Sequence, residues 1–176
     1  MLPYVFVLAL MTTVFESNNT KPKRILFFGD SITEMGVKEK GYISLMNEKL
    51  NKRGLQQKYQ LIGSGIGGNK VYDLFFRMEL DVLAQQPDIV VIWIGINDIW
   101  HKSMFGTGTD LHKFETMYAD IIQRLQKKGI KVYCCTPGCI GEKTDFSNSQ
   151  DGDLNEFSKV IRKTIILNKE IGRAHV

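Results

Sequence analysis

Four short apolar runs, Ile25–Phe28, Tyr59–Ile62, Ile89–Ile94 and Val132–Thr136, alternate with stretches in which apolar residues recur every three or four positions. That alternation constrains the fold more than any other feature of the chain. Continuous apolar runs make buried strands, and a 3.6-residue period makes helices. Strands joined through helices need crossover connections, which gives a parallel sheet with helices on both faces. The helical stripes are Tyr42, Leu45, Met46 and Leu50; Val71, Leu74, Phe75, Met78 and Val82; and Phe114, Met117, Tyr118, Ile121, Ile122 and Leu125. All three read as core faces. A further helix is expected from Asp153, with Asp153 as its cap, Glu156 closing a capping box, and Leu154, Phe157, Ile161 and Ile165 turned inward. The expected fold class is α/β, a three-layer α/β/α sandwich with a mostly parallel sheet.

A chain of 176 residues with 43% hydrophobic content has enough apolar material for one domain. That domain is expected to span 21–169. Residues 1–20 read as a signal peptide or a disordered N-terminal extension, because Leu2–Val14 is an uncharged apolar run of secretory h-region length, too short for a stable membrane span. Location follows from that choice: secreted, periplasmic or envelope-facing with a signal peptide, cytoplasmic without one. The formal charge of +4 is scattered over helix faces, with no basic stripe interleaved with aromatics, so nucleic acid is not an expected partner. Cys134, Cys135 and Cys139 show neither zinc nor disulfide-framework spacing and read as buried thiols. Asp145–Asp153 lacks the spacing of a calcium loop, so no metal is expected.

Three segments carry chemistry. The first strand stops at Gly29 and hands over to Asp30-Ser31, which sets Ser31 at the carboxyl edge of the sheet, where open α/β folds hold their sites. Ser31 is therefore a candidate nucleophile as well as a candidate helix cap. Gly63-Ser64-Gly65-Ile66-Gly67-Gly68-Asn69 follows the second strand. It satisfies a G-x-G-x-x-G pattern, but Asp88 starts the next strand at the opposite edge, where it cannot serve a ribose. The same glycines can present a backbone N–H to a developing negative charge. Val90–Ile94 ends in Gly95-Ile96-Asn97-Asp98, where Asn97 can aim a neutral side-chain N–H into the mouth or simply form a turn. Two polar loops, Trp100–Asp110 and Gly138–Gly152, are expected to border that mouth.

Gly-Asp-Ser, Gly-x-Gly-Gly-Asn and Gly-x-Asn-Asp, in this order, resemble the SGNH, or GDSL-type, hydrolase family. The resemblance implies a flavodoxin-like three-layer hydrolase of carboxylic esters with no cofactor. It implies Ser31 as nucleophile and an oxyanion hole made of the Ser31 N–H, the Gly68 N–H and the Asn97 side chain. Substrates consistent with it are short-acyl (acetyl) esters of carbohydrates, or lysophospholipid and thioester-like molecules. Trp93, Trp100 and the Gly106–Thr109 segment could border such a substrate, although Trp93 reads first as core.

The family takes its base from an Asp-x-x-His block near the carboxyl terminus. His101 does complete Asp98-x-x-His101, but Asp98 already closes the Gly-x-Asn-Asp block one strand too early, so His101 reads as solvent-facing or loop-stabilising. His112 lies on the polar side of a helix start, and His175 has Gly172 three residues before it. Glu170-Ile171-Gly172-Arg173-Ala174-His175-Val176 matches one translated frame of a widely used sequencing adapter. That match leads to the expectation of a non-native tail at 170–176, with the last strand, last helix and catalytic pair cut away. Two rivals accompany the hydrolase reading: a binding module without the base, and a dinucleotide-dependent oxidoreductase.

Overall fold

The computed structural model describes residues 21–145, 147–169 and 174–175. The apolar run at 2–14 lies outside the described residues, as does most of the closing heptapeptide. Strands β1 (Lys23–Gly29), β2 (Tyr59–Gly65), β3 (Ile89–Trp93) and β4 (Lys131–Cys135) are joined by a two-residue β5 (Ala174–His175). All pairings are parallel, in the order β2-β1-β3-β4-β5. The chain runs outward from β1 to β2, then crosses back to β3 on the other side of β1. The strand order reverses there, and such a switch point leaves a crevice at the carboxyl ends of the strands. Register makes that edge level: Gly29 pairs with both Gly65 and Trp93, and Trp93 pairs with Cys135.

The expected α/β sandwich is present. Helices α1 (Ser31–Gly36), α2 (Tyr42–Lys52), α3 (Val71–Asp81), α4 (Ile96–Phe105), α5 (Leu111–Lys127) and α6 (Asp151–Lys169) connect the strands. One sheet face carries Leu26, Phe28, Val90, Ile92 and Val132, packed with Leu74 and Met78 of α3, Tyr118, Ile121, Ile122 and Leu125 of α5, and Phe157 and Ile161 of α6. Each such fully buried side chain is worth roughly 1.5–3 kcal/mol. On the other face Tyr42, at the start of α2, meets the rings of Phe27 and Trp93 edge-on at 5.5 and 5.8 Å.

Four expectations need correction. The first half of the expected Trp100–Asp110 loop is helical, because α4 starts at Ile96 and ends where Gly106, at φ 67°, turns its N–H back to the His101 carbonyl. Its polar residues concealed the helix: Asn97 and Asp98 are buried and serve neighbouring segments. Helix α6 starts two residues early, at Asp151, whose carboxylate accepts the Asn148 N–H, so Asp153 is not its cap. In α2 only Ile43 is fully buried while Leu45 and Met46 are exposed, because this helix lies over the sheet's β2 edge. Cys139 is exposed, unlike the half-buried Cys134 and Cys135; burial pushes the Cys134 thiol up to about 12.

Candidate active site

Ser31 is the first residue of α1 and is exposed. Asp30 makes the turn before it: its buried carboxylate accepts the Ile32 N–H at 2.9 Å, a side-chain cap on the helix. Burial raises the Asp30 pKa. Close packing holds the turn. A Cβ at Gly29 would lie 2.4 Å from the Trp93 carbonyl oxygen, and one at Gly65 would lie 2.1 Å from the Glu34 nitrogen. The end of β2 thus sits directly on the backbone of α1. A Cβ at Gly63 would strike Val37 at 2.3 Å, so the face a dinucleotide would need beside these glycines is filled by protein. Asp88 lies at the amino edge as expected, accepting the Arg24 N–H at 2.7 Å.

Residues 66–69 form a loop whose polar atoms are held from several sides. The Ile66 N–H donates to Gly29 O at 3.2 Å, the Gly67 N–H to Glu34 Oε2 at 2.6 Å, and the Asn69 N–H to Ile66 O at 3.3 Å. Among the described residues, none accepts from the Gly68 N–H. Lys70 Nζ donates to Gly68 O at 3.0 Å, and Asn97 Nδ2 donates to Asn69 O at 3.0 Å. Gly68 has φ 74°, a left-handed backbone that glycine adopts without a Cβ penalty. Gly67 brings the loop to the serine, since a Cβ built there would lie 4.0 Å from Ser31 Cβ. The turns that carry Ser31, Gly68 and Asn97 therefore meet at one edge.

Asn97 is 4% exposed. It needs one of its two amide hydrogens for Asn69 O, which leaves the second for a ligand. Asp98 is fully buried and takes the Val71 N–H on both carboxylate oxygens, at 3.1 and 3.2 Å, which anchors the start of α3 just beyond the loop. Burial raises its pKa to about 6 despite the Thr109 side chain, the Val71 N–H and the Lys70 charge.

Asp98-x-x-His101 does not form a carboxylate–imidazole pair, because the Asp98 carboxylate is turned to α3. His101 lies instead beside the loop: its Cε1 would be 3.6 Å from a Cβ at Gly68. Its ring packs between Trp100 and Phe105, and burial together with the Lys70 charge lowers its pKa. His112 is exposed on α5 beside Thr116. The side chain of His175 lies outside what the structure describes. The two segments expected to border the mouth touch each other where Gln150 Nε2 donates to Ser103 Oγ at 3.0 Å. Trp93 lies within β3 and packs on Tyr42, whereas Trp100 is exposed at the rim.

Glu34, Lys70 and Arg77, the residues that hold the loop, escape sequence reading. Glu34 and Lys70 look like surface charges, and their roles depend on a loop from another strand. Arg77 left a trace: it interrupts the contiguous apolar run Leu74-Phe75-Phe76 just before Met78.

The fold recurs in known proteins. Residues 27–165 match the model of the GDSL-like Lipase/Acylhydrolase family. An acetylxylan esterase of Geobacillus stearothermophilus is 37% identical over 91 residues, in an alignment covering 46% of this chain and 42% of that enzyme. The chain therefore matches less than half the length of this curated relative. The crystal structure of an acetyl xylan esterase, AlAXEase, superposes with a TM-score of 0.82 at 57% identity, covering 83% of this chain and 74% of that one. Axe2, an acetylxylan esterase from Geobacillus stearothermophilus, shares the fold at 23% identity, with a TM-score of 0.75 and coverage of 86% and 75%. Its solved forms include catalytic mutants at a serine, an aspartate and a histidine. Since the family match extends from β1 into the last turns of α6, the chain belongs to the GDSL-like lipase/acylhydrolase family.

Proposed function

We propose that this protein is a serine esterase that removes acetyl groups from carbohydrate esters. The observation that carries the reading is the Gly68 N–H, the one amide of the 66–69 loop without a protein acceptor among the described residues, set between anchored neighbours and beside the turn of Ser31. A fixed, unengaged donor is what a developing oxyanion needs, because it is already oriented when the charge appears. The Ser31 N–H in the first turn of α1 has no intrahelical acceptor, and the second hydrogen of Asn97 Nδ2 completes the set.

In this mechanism Ser31 Oγ attacks the acetyl carbonyl, the three donors hold the tetrahedral oxyanion, and the leaving alcohol departs with a proton. Water then releases acetate from the acyl-enzyme. The proton passes through an imidazole oriented by a carboxylate. Neither His101 nor His112 is so paired, and in the family this role falls to an Asp-x-x-His block. Acetylated xylan is the favoured substrate because the relatives at 57% and 37% identity are acetylxylan esterases. The exposed Trp100 offers a flat apolar face at the rim for a sugar ring. The apolar run Leu2–Val14 supports export to where such polymers lie.

The test is release of acetate from acetylated xylan and of p-nitrophenol from p-nitrophenyl acetate by the full-length protein and its Ser31→Ala variant. Turnover that disappears in the variant is expected; turnover that persists overturns the proposal. Binding of the polymer without turnover would favour the module that lacks a base.

A further inference from the structure

Arg77 lies on α3, outside all three sequence blocks, yet its side chain meets the first two of them. Its Nε donates to Asn69 Oδ1 at 2.7 Å. One terminal nitrogen donates to Ser64 Oγ at 3.0 Å and to Asp81 Oδ2 at 2.7 Å. The other donates to Gly29 O at 2.8 Å and Ser64 O at 3.1 Å. A guanidinium has five N–H donors in a fixed plane, and here all five have acceptors. The group also lies over the Phe28 ring, 4.5 Å from its centroid, and its side chain is only 14% exposed.

Those acceptors have distinct roles. Gly29 O closes β1 one residue before Asp30-Ser31 and also receives the Ile66 N–H. Ser64 is the penultimate residue of β2. Asn69 is the residue whose carbonyl holds Asn97. The guanidinium therefore touches the strand end that aims the serine, the strand end that launches the loop, and the loop residue that locates the carboxamide.

We infer that Arg77 is a positioning residue of the catalytic site, a planar clamp that fixes the nucleophile turn relative to the oxyanion loop without touching substrate. This rests on the esterase reading. Lysine cannot replace it, because an ammonium is a point charge with three donors and no plane. Misplacing a donor by about 1 Å can cost on the order of 10²-fold in rate, and the turns that carry the Ser31 and Gly68 amides both rest on this clamp.

The test compares wild type, Arg77→Ala, Arg77→Lys and Ser31→Ala on p-nitrophenyl acetate, with thermal unfolding of each. Arg77→Ala is expected to lower kcat by about 10²-fold while KM changes by less than about threefold. Added guanidinium at non-denaturing concentration should restore part of the loss, and Arg77→Lys should remain low even if its Tm equals that of wild type. Amide hydrogen exchange gives a readout independent of turnover: Ile66 and Asn69 should exchange faster in Arg77→Ala while α5 is unchanged. If Ser31→Ala is inactive but Arg77→Ala keeps wild-type kcat, the clamp is refuted and the esterase reading stands. If wild-type turnover does not depend on Ser31, the esterase reading falls, and unaltered exchange at Ile66 and Asn69 would then refute the clamp as well.

Discussion

Asn97 Nδ2 donates to the backbone carbonyl of Asn69 across 28 residues of sequence, at 3.0 Å, and this bond ties the β3 turn to the loop after β2. Two of the three turns that carry the proposed oxyanion donors are thus fixed to each other before any substrate arrives. Preorganisation of that kind lets a hydrogen bond stabilise a transition state without rearrangement at the moment of reaction.

Removing the carboxamide should affect both links. Asn97→Ala is expected to lower kcat on p-nitrophenyl acetate by roughly 10²–10³-fold. It should also destabilise the fold by about 1–3 kcal/mol, since the half-buried Asn69 carbonyl loses its donor. Steady-state kinetics and urea unfolding of the same preparation measure the two effects separately.

The two glycines of the loop region should respond differently to alanine. At Gly65 the new Cβ would meet the Glu34 nitrogen at 2.1 Å, and backbone cannot move aside as a side chain can. Gly65→Ala should lose about 3 kcal/mol or more. At Gly68 the nearest atom is His101 Cε1 at 3.6 Å, so only the left-handed φ of 74° is penalised. Gly68→Ala should lose about 1–2 kcal/mol. Thermal unfolding that ranks them in the opposite order would contradict this packing.

Asp98 makes stability depend on pH. Its carboxyl titrates at about 6 in the fold against 3.8 as the ordinary value, chiefly because it is buried. Between those values the native state holds a proton that the unfolded chain has released, so raising the pH favours unfolding. Stability is expected to fall from about pH 4 to pH 6 and level off above, by on the order of 3 kcal/mol from this group. Asp98→Asn should remove that slope, and denaturant titrations of both proteins across the window provide the comparison.

His101 should titrate below the usual imidazole range, because burial disfavours its charged form and the Lys70 ammonium repels it. Lys70→Met is expected to move the titration upward, as followed by NMR of the imidazole protons. No movement would mean that the lysine charge does not reach the ring.

The sequence alone specified the layers, the parallel sheet and the three turns. Runs such as Ile25–Phe28 and Ile89–Ile94 are long enough for a strand and too short for a helix, and the stripe from Phe114 to Leu125 has one inward face. These are local patterns, and local physics writes them into adjacent residues. Segments whose apolar signal is diluted were misread: α4 looked like a loop because Asn97 and Asp98 spend their polarity on distant backbone.

Tertiary structure alone decided which atoms meet. That Glu34 holds the Gly67 N–H, that Asp98 serves Val71 rather than His101, and that Arg77 joins Gly29 to Asn69 are outcomes of strand order and level register. A hydrogen bond between residues 48 positions apart, like that from Arg77 to Gly29, has no period to betray it. It exists because β1 lies between β2 and β3, where the chain reverses its order of strands and gathers separate turns around one crevice.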